Sequence, residues 1–446
     1  MLERLLFRKI EAWVLFAVLL VGALLTIMFG WSVLYKAKGG ERGGRIMELL
    51  MSVAQLPDPL MQLALSEKNV IQPQIIAFDE FSGLRRYDSD FNDTGSLLVS
   101  SFNADKGIST VYLYDLASQK RLFEWTPPIE GIIAGSSYRG KRNLKKNYRT
   151  QHPLLMDNGD LLFTSSEGPL VRIDMCSQLR WVVDRHFHHS IEMASNGNIF
   201  VPHVLAAPTD IDSITTTNHA VSPIRDDGIA EISPNGEIVE EWSVKDILER
   251  HGYNGLLYGV GPYEVDRTHL NDIEPILVSD DYVQQGDLAL SLRNLSTVLL
   301  YRPSTDEIIW LSTGPWLRQH DVDYQGNGVF TIFGNDELRG ETNQDSLRDY
   351  STIWAYDQKD GSVKSFLELD AVDIFTASQG LHRVLPNGDV FIEEQNSHVL
   401  HRVNGARLRW SYVNSLGDDK IGALHWSRYL RSDEQQFDWI EKAGCT

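Results

Sequence analysis

Basic residues and cysteines are both scarce in this sequence of 446 residues. Lys and Arg number 41 against 61 Asp and Glu, which gives a formal net charge of −20. General binding to nucleic acid is therefore not expected, because contact with phosphates needs clustered basic side chains. The two cysteines, Cys176 and Cys445, have the spacing of neither a zinc site nor a disulfide framework. The sequence permits a bond between them and does not require one.

Several catalytic motifs are also missing. The sequence contains no Gly-rich phosphate loop, no Ser nucleophile elbow and no Rossmann fingerprint. Low-complexity segments are absent as well, and 42% of the residues are hydrophobic while 23% are charged. This composition is typical of a globular protein with a sizeable core.

One long apolar run is present, from Ala12 to Tyr35, and it contains no charged residue. At about 1.5 Å per residue it is long enough to cross a bilayer. It exceeds the apolar core of a signal peptide, and no small-x-small cleavage site follows it. We therefore predict a retained transmembrane anchor at residues 12–35, preceded by a cytoplasmic tail at 1–11. Basic residues flank both ends, so the flanking charge does not fix the orientation.

We predict a hinge and a helical stem for the segment after the anchor, residues 36–75. It opens with the Gly-rich sequence KAKGGERGGR. Ile46, Leu49, Leu50 and Val53 then follow at helical spacing before a proline ends the run. A short stem helix is expected here.

Residues 76–414 contain short apolar runs that alternate with Asn-Gly, Asp-Gly and Gly-Asp turns, a pattern typical of strands in hairpins. A unit that begins near a histidine and ends near a tryptophan recurs about six times. Units that cannot bury their faces singly predict an all-β six-bladed β-propeller. A flat β-sandwich is the alternative, against which the regular tryptophans argue. Residues 415–446 are interpreted as a C-terminal tail that closes the rim or contacts a partner.

The tryptophans near the ends of the units are interpreted as packing residues between blades. They are Trp125, Trp181, Trp242, Trp310 and Trp410. Three insertions, at residues 206–227, 245–266 and 336–350, are expected to form loops or short helices on one rim, where such folds place their sites.

Histidines occur in a common register at the start of the units. His189 and His320 each lie seven residues before an Asn-Gly turn, and His269 opens its unit in THLND. The first strand of a blade lies nearest the propeller axis, so these three side chains are predicted to meet in the central channel. Arg293, on the next strand of the blade of His269, is expected to reach the same channel.

Three imidazoles and a guanidinium in one cavity suit the handling of an anion. Arginine offers a planar fork of donors to an oxyanion, and neutral imidazole acts as nucleophile, base or acid near neutral pH. A single histidine at the start of a strand is more often structural. The agreement of register across units favours the catalytic interpretation for the set.

Three stretches carry a resemblance to the bacterial arylsulfate sulfotransferases, which are six-bladed propellers that work outside the cytoplasm. They are HHSIEMASNGNIF, THLNDIEPI with LSLRNLSTVLLYRPSTDEIIW, and QHDVDYQGNGVF. The resemblance implies that a sulfuryl group passes from an aryl sulfate to a phenolic acceptor by a ping-pong path through a sulfated histidine. It implies no nucleotide donor, and we assign neither a cofactor nor a metal.

The resemblance also implies roles for the four candidate residues. His320 is the nucleophile, with its other ring nitrogen held by Asp321 or by a backbone carbonyl. Arg293 and His269 stabilise charge on the sulfuryl oxygens. His189 protonates the leaving phenolate and deprotonates the acceptor, unless His189 and His269 exchange these duties.

The sequence departs from the family in two respects. It has an anchor in place of a cleaved signal, and it lacks the cysteine-bearing loop that some members place before the nucleophile. A shorter loop changes the rim that selects the acceptor, so the hydroxyl group of a surface polysaccharide joins phenols as an expected acceptor. Because the family works in the periplasm, we expect a single-pass inner-membrane protein with its propeller in the periplasm.

A propeller that serves as a non-catalytic binding or scaffold module of an envelope polysaccharide assembly is the alternative to the enzyme. A metal site in RHFHHS is disfavoured, because alternation along a strand would separate its three histidines. The acidic pairs Asp226-Asp227, Asp280-Asp281 and Asp418-Asp419 lack the ligand pattern of a calcium loop and are interpreted as solvated turns.

Overall fold

The structure is a computed structural model that describes residues 11–37, 50, 74–137, 145–206, 224–259, 265–337, 350–434, 437–442 and 444–445. The chain divides into two units, residues 1–72 and residues 73–446.

The first unit contains one long helix, α1 (Ala12–Ala37). It includes the uncharged segment Ala12–Tyr35, which is long and apolar enough to cross a membrane. Large apolar side chains along it, such as Phe16 and Ile27, are exposed, which suits a surface that faces lipid. The predicted stem helix lies outside the described residues, apart from Leu50.

The second unit is built almost entirely of antiparallel strands, with a few short helices. The helices are α2 (Ile129–Gly135), α3 (Val244–Arg250), α4 (Asn254–Tyr258) and α5 (Trp439–Lys442), with 3-10 turns at Lys145–Asn147, Arg293–Leu295 and Leu369–Val372. The strands are β1 (Ile75–Ala77), β2 (Leu84–Arg86), β3 (Ser96–Asn103), β4 (Ile108–Asp115), β5 (Lys120–Trp125), β6 (Gln151–Leu155), β7 (Leu161–Thr164), β8 (Gly168–Ile173), β9 (Leu179–Phe187), β10 (Glu192–Met193), β11 (Ile199–Ala206), β12 (Asp226–Ile232), β13 (Ile238–Ser243), β14 (Leu270–Pro275), β15 (Leu288–Leu292), β16 (Thr297–Arg302), β17 (Glu307–Thr313), β18 (Asp321–Gly326), β19 (Val329–Gly334), β20 (Thr352–Asp357), β21 (Ser362–Glu368), β22 (Leu381–Val384), β23 (Val390–Glu394), β24 (Val399–Asn404), β25 (Arg407–Tyr412), β26 (Ser415–Gly417), β27 (Lys420–Gly422) and β28 (Arg428–Leu430).

The strands pair in groups of four that follow the chain. We call these groups sheet I (β28-β3-β4-β5), sheet II (β6 to β9), sheet III (β10 to β13), sheet IV (β14 to β17), sheet V (β18 to β21) and sheet VI (β22 to β25, extended by β2). Sheets II and III are continuous through one residue pair, Phe187 with His203. Strands β1, β27 and β26 form a small separate sheet. Among the described residues no sheet closes on itself.

The Asn-Gly signals mark real hairpin turns. Between β18 and β19, Gly326 pairs with Val329, so Asn327 and Gly328 form a two-residue loop with φ of 54° and 79°. Two consecutive positive φ angles define the turn type that joins twisted antiparallel strands, and Asn-Gly is the pair that tolerates it best. A Cβ on Gly328 would also lie 2.9 Å from the ring of Tyr282.

Four of the five marked tryptophans contact the sheet that follows their own. The indole nitrogen of Trp125 donates to Gly159 O at 3.0 Å, and that of Trp181 donates to Pro234 O at 3.2 Å. Trp310 packs on Phe330 at 4.9 Å between ring centroids, and Trp410 donates to Asp93 Oδ2 at 2.7 Å, just before β3 of sheet I. Trp242 packs against an apolar cluster that sheets III and IV share.

Hydrogen bonds join consecutive sheets near the first strand of each. Ile273 N donates to Ser190 Oγ between sheets III and IV, and Val322 N donates to Asp272 Oδ2 between sheets IV and V. The same pattern continues from sheet V to VI, from VI to I and from I to II, in the bonds of His382 N to Asp321 Oδ2, Trp426 N to Glu393 Oε1, and His152 N to His425 O. Hydrogen bonds near the first strands therefore join five consecutive pairs of sheets, and the sixth pair, sheets II and III, is joined through β9 and β11.

Residues 415–446, which the sequence analysis interprets as a tail, contain three strands. Strands β26 and β27 belong to the small separate sheet, and β28 belongs to sheet I. Strand β28 pairs with β3, so sheet I combines both ends of the second unit. Trp439 of α5 packs against Trp125 with ring centroids 5.5 Å apart. Cys176 and Cys445 form a disulfide with Cα atoms 5.2 Å apart, which settles the pairing that the sequence left open.

Candidate active site

Each sheet places a residue with positive φ at the beginning of its first strand. These residues are His152, His189, His269, Arg318, Gln379 and Trp426, with φ between 47° and 65°. Non-glycine residues seldom adopt this conformation, and they cluster where the surrounding structure forces it, often at functional sites. The recurrence explains how six strand starts deliver side chains to one region.

The three predicted histidines meet. The ring of His189 lies 5.1 Å from that of His269 and 6.1 Å from that of His320, between centroids. Arg293 follows β15, and its backbone N–H donates to His269 O at 3.2 Å. The guanidinium of Arg293 is also close enough to lower the pKa of His320. The structure thus brings together all four residues that the sequence selected.

His320 is 7% exposed, and both of its ring nitrogens have partners. Nδ1 lies 2.6 Å from Asn335 Oδ1 and 3.2 Å from Arg318 O, both acceptors, so Nδ1 carries the proton. Nε2 therefore has the free electron pair, and it accepts from the backbone N–H of Gln379 at 3.1 Å. Burial, with Arg293 nearby, holds the pKa of His320 well below its usual value, so the ring is neutral near pH 7.

The partner of Nδ1 corrects part of the sequence interpretation. Asp321 does not hold His320; its Oδ2 accepts from the side chain of His382, at 2.6 Å from Nδ1. A backbone carbonyl does contribute, through Arg318, but the closer acceptor is Asn335. Asn335 also donates to Thr376 O and Gln379 O, so one amide orients the histidine and the segment that caps it.

His189 and His269 have different second partners. Nδ1 of His269 lies 2.5 Å from Asp266 Oδ2, so a carboxylate orients this ring. Nδ1 of His189 instead lies 2.9 Å from Nδ1 of His188. Burial, together with four neighbouring histidines, holds the pKa of His189 well below its usual value. His189 is therefore neutral, whereas His269 is paired with a carboxylate.

The sequence missed a layer of residues around the site. Asp227 is 1% exposed, so it is not the solvated turn that was expected. Its Oδ2 accepts from Thr268 Oγ1 at 2.6 Å and from Leu270 N at 2.9 Å, which fixes both sides of His269. Trp426 stacks on His152 at 4.6 Å and lies 6.1 Å from His189, between ring centroids. No signal at the level of one sequence marks these contacts, since they join distant segments.

The histidines of RHFHHS do not form a metal site. His186 is exposed, while His188 is buried and contacts His189. The only group of three His, Cys, Asp or Glu side chains in the described residues with ligand atoms mutually within 4.8 Å is Asp321, Asp323 and His382. Both nitrogens of His382 are already in hydrogen bonds, to Asp321 and to Thr331 Oγ1.

Comparison with known families shows which protein family the chain belongs to. Residues 152–414, more than half of the chain, match the model of the family described as arylsulfotransferase (ASST). The chain belongs to the arylsulfotransferase family. The matched range contains all four predicted site residues, whereas Trp426 and the disulfide partner Cys445 lie outside it.

Three solved structures illustrate how distant such similarity to this chain is. A protein of unknown function from Bacteroides caccae is 12% identical over 76% of this chain and 100% of its own, with a TM-score of 0.47. The WD40 domain of Pan2 from Neurospora crassa is 12% identical over 78% of this chain and 88% of its own, with a TM-score of 0.40. Virginiamycin B lyase from Staphylococcus aureus is 12% identical over 74% and 87%, with a TM-score of 0.39. No curated protein matches this arylsulfotransferase.

Proposed function

We propose that this arylsulfotransferase moves a sulfuryl group from an aryl sulfate to a hydroxyl acceptor, phenolic or on a polysaccharide, through a sulfated His320. The observation that carries the proposal is the convergence of His189, His269 and His320, with ring centroids 5.1 and 6.1 Å apart, beside Arg293. A scaffold would not need a neutral histidine with an oriented tautomer next to a guanidinium.

In the first step, Nε2 of His320 attacks the sulfur. The N–S bond forms while the S–O bond to the aryl group breaks, and the phenolate leaves. Arg293 stabilises the charge on the sulfuryl oxygens. The N–H of Gln379, which bonds to Nε2 in the resting state, is released and becomes a donor beside the new group.

His269 transfers the protons in both steps. Its ring, paired with Asp266, gives a proton to the departing phenolate and becomes neutral. In the second step the acceptor oxygen attacks the sulfur, the N–S bond breaks, and His269 takes the acceptor's proton. The sequence interpretation gave proton transfer to His189 first. Because its lowered pKa makes His189 a poor acid, we give this role to His269. His189 instead holds the sulfuryl group by a hydrogen bond.

The proposal includes a β-propeller arrangement of the six sheets. The six sheets are the blades of a propeller whose ring is closed by β28, and the first strands line its channel. The hydrogen bonds that join five consecutive pairs of sheets, together with the junction of sheets II and III through β9 and β11, support this arrangement. The domain limits proposed from the sequence, 76–414 for the propeller, are accordingly extended to include β28.

We further propose that α1 is a single-pass inner-membrane anchor and that the propeller faces the periplasm. The disulfide between Cys176 and Cys445 supports this placement, because such bonds persist in oxidising compartments. Residues 1–11 then lie in the cytoplasm.

The test compares turnover of a chromogenic aryl sulfate, with a phenol as acceptor, in the wild type, in His320→Ala and in His186→Ala. His186 is an exposed histidine and serves as the matched control. We expect His320→Ala to fold and to lose turnover, while the control retains it. Mass spectrometry at neutral pH should detect an N-sulfo adduct on the peptide of His320 when acceptor is omitted. Unchanged turnover in His320→Ala would remove this residue from the mechanism.

A further inference from the structure

Arg225 connects three segments of the chain next to the catalytic histidines. It stands directly before β12 of sheet III, at the end of an insertion for which the sequence predicts a position on the rim. Its Nη1 donates to Glu167 Oε1 at 2.9 Å, in the hairpin between β7 and β8 of sheet II. Its backbone N–H donates to Val265 O at 2.8 Å, next to Asp266. Since the side chain is only 17% exposed, its position is well defined by these contacts.

The guanidinium of Arg225 also pairs with Asp227. Nε of Arg225 lies 3.5 Å from Asp227 Oδ1, and the side chain of Asp227 is completely buried. The other oxygen, Oδ2, accepts from Thr268 Oγ1 and from Leu270 N, the two neighbours of His269 in the chain. Burial raises the pKa of Asp227, and the charge of Arg225 opposes this rise. A buried carboxylate stays ionised only beside such a cation, so the support of His269 depends on Arg225.

The carboxylate of Asp266 is a second group on which Arg225 acts. Its Oδ2 lies 2.5 Å from Nδ1 of His269, while its Oδ1 is buried and has no hydrogen-bond partner among the described residues. Burial alone would raise the pKa of Asp266. The bond to His269 and the positive charges of His269 and Arg225 outweigh burial, so the pKa of Asp266 lies below its usual value. Asp266 is therefore held as the carboxylate that orients His269.

The same charge has the opposite effect on the pair His188 and His189. Nδ1 of His188 lies 2.9 Å from Nδ1 of His189, and His188 is almost completely buried. Burial, followed by the charge of Arg225, holds the pKa of His188 well below its usual value. A nearby cation disfavours a proton on an imidazole and favours an ionised carboxylate. Arg225 therefore acts differently on the two histidines of the site that could transfer a proton.

We propose that Arg225 is a positioning residue that keeps Asp227 and Asp266 ionised beside His269 and thereby gives proton transfer to His269 rather than to His189. Arg225 acts through the two carboxylates and not on the substrate. The inference rests on the proposed function and adds to it the residue that distinguishes the two histidines.

The experiment uses the full-length chain in detergent and a series of aryl sulfates whose phenols differ in pKa, with one constant phenol as acceptor. Arg225→Met removes the charge, and Arg225→Lys keeps it. Arg302→Met is the matched control, because Arg302 is 14% exposed and pairs with Asp287 at 2.7 Å. Asp287 precedes β15 whereas Arg293 follows it, so the control ion pair lies at the other end of that strand. Thermal unfolding of every variant shows that it is folded.

We expect Arg225→Met to lower kcat/KM for phenyl sulfate by about tenfold, less than loss of the acid itself, while a nitrophenyl sulfate reacts at a rate near that of the wild type. The plot of log kcat/KM against leaving-group pKa should therefore steepen. Arg225→Lys should restore most of the wild-type slope, since the charge is what the carboxylates need. Arg302→Met should lower the unfolding temperature and keep the wild-type slope. If Arg225→Met does not fold, Glu167→Ala, which removes the partner of Nη1, should steepen the plot to a smaller extent.

A double variant separates this route from a general structural effect. In an Asp266→Asn background, Arg225→Met should change the rate with phenyl sulfate much less than it does in the wild type, since the effects of residues in one network do not add. A wild-type slope in folded Arg225→Met, an equal steepening in Arg302→Met, or effects that multiply fully in the double variant would overturn the inference and leave His269 and Asp266 in their roles. Absence of aryl sulfate turnover in the wild type would instead contradict the proposed function, and the inference with it.

Discussion

The side-chain oxygen of Asn335 lies 2.6 Å from Nδ1 of His320. Since the amide oxygen only accepts, the proton stays on Nδ1, and the electron pair of Nε2 accepts from the backbone N–H of Gln379. A neutral imidazole can carry its proton on either nitrogen, and only one of the two tautomers is nucleophilic at Nε2. Asn335 is therefore a positioning residue.

Replacement of Asn335 by Ala should lower kcat for aryl sulfate by about 10- to 100-fold, as loss of a partner that orients a histidine does elsewhere. The decrease should appear in kcat more than in KM, because the substrate does not contact the amide. Burst kinetics of phenol release would measure the sulfation step directly. The burst rate in Asn335→Ala should fall while the burst amplitude is kept. A variant with full burst rate would show that the tautomer is fixed by Arg318 O alone.

The pH profile follows from the burial of His320. Its pKa lies well below the usual 6.5, first because of burial and then because of Arg293. A lowered pKa means that the ring stays neutral as the pH falls through 6.5, so the acidic limb of kcat/KM should lie below pH 6.5. In Arg293→Met the limb should move to higher pH, since a neighbouring positive charge is gone, whatever the loss in absolute rate. A limb at or above 6.5 in the wild type, or one that Arg293→Met leaves in place, would contradict this assignment.

The strands, the turns and the convergence of His189, His269, His320 and Arg293 could be predicted because they follow local rules. Asn-Gly pairs specify two-residue hairpins, and the seven-residue offset of His189 and His320 from these pairs reflects a repeated structural unit. The positive φ at the strand starts was not predictable, because arginine, glutamine and tryptophan have no local preference for it and histidine, although enriched there, adopts it in only a small fraction of cases. The tertiary structure imposes that backbone conformation.

Interactions between segments far apart in sequence were not accessible either. Asp227 looked like part of a polar turn, yet it is buried because it accepts bonds from Thr268 and Leu270, more than 40 residues away. Similarly, Arg428 in the segment interpreted as a tail donates to Pro153 O and Ile191 O. Burial of a charged residue depends on partners that a single sequence does not reveal.

The disulfide should be a stability element rather than a catalytic one. Cys176 and Cys445 are 269 residues apart in sequence, and closing a long loop reduces the entropy of the unfolded chain. The double variant Cys176→Ser, Cys445→Ser should lose about 2 to 5 kcal/mol in the free energy of unfolding, with transfer activity retained at low temperature. Urea unfolding with and without reductant measures this. Reductant should destabilise the wild type and leave the double variant unchanged; equal curves for all four samples would disprove a contribution from the bond.

If His269 protonates the leaving phenolate, the effect of disabling His269 should depend on the pKa of the leaving phenol. A phenol with a low pKa leaves without help, whereas a poorly acidic phenol needs protonation as the S–O bond breaks. In Asp266→Asn the imidazole of His269 loses the carboxylate that pairs with its Nδ1. The variant should therefore transfer from a nitrophenyl sulfate at a rate near that of the wild type, but from an unsubstituted phenyl sulfate about 10²- to 10⁴-fold more slowly, the usual range for general acid catalysis.

The corresponding plot of log kcat/KM against leaving-group pKa should steepen in Asp266→Asn and in His269→Gln. In His188→Gln, which removes the imidazole beside Nδ1 of His189, the slope should stay as in the wild type. If the slope steepens in His188→Gln and stays unchanged in Asp266→Asn, the acid is His189.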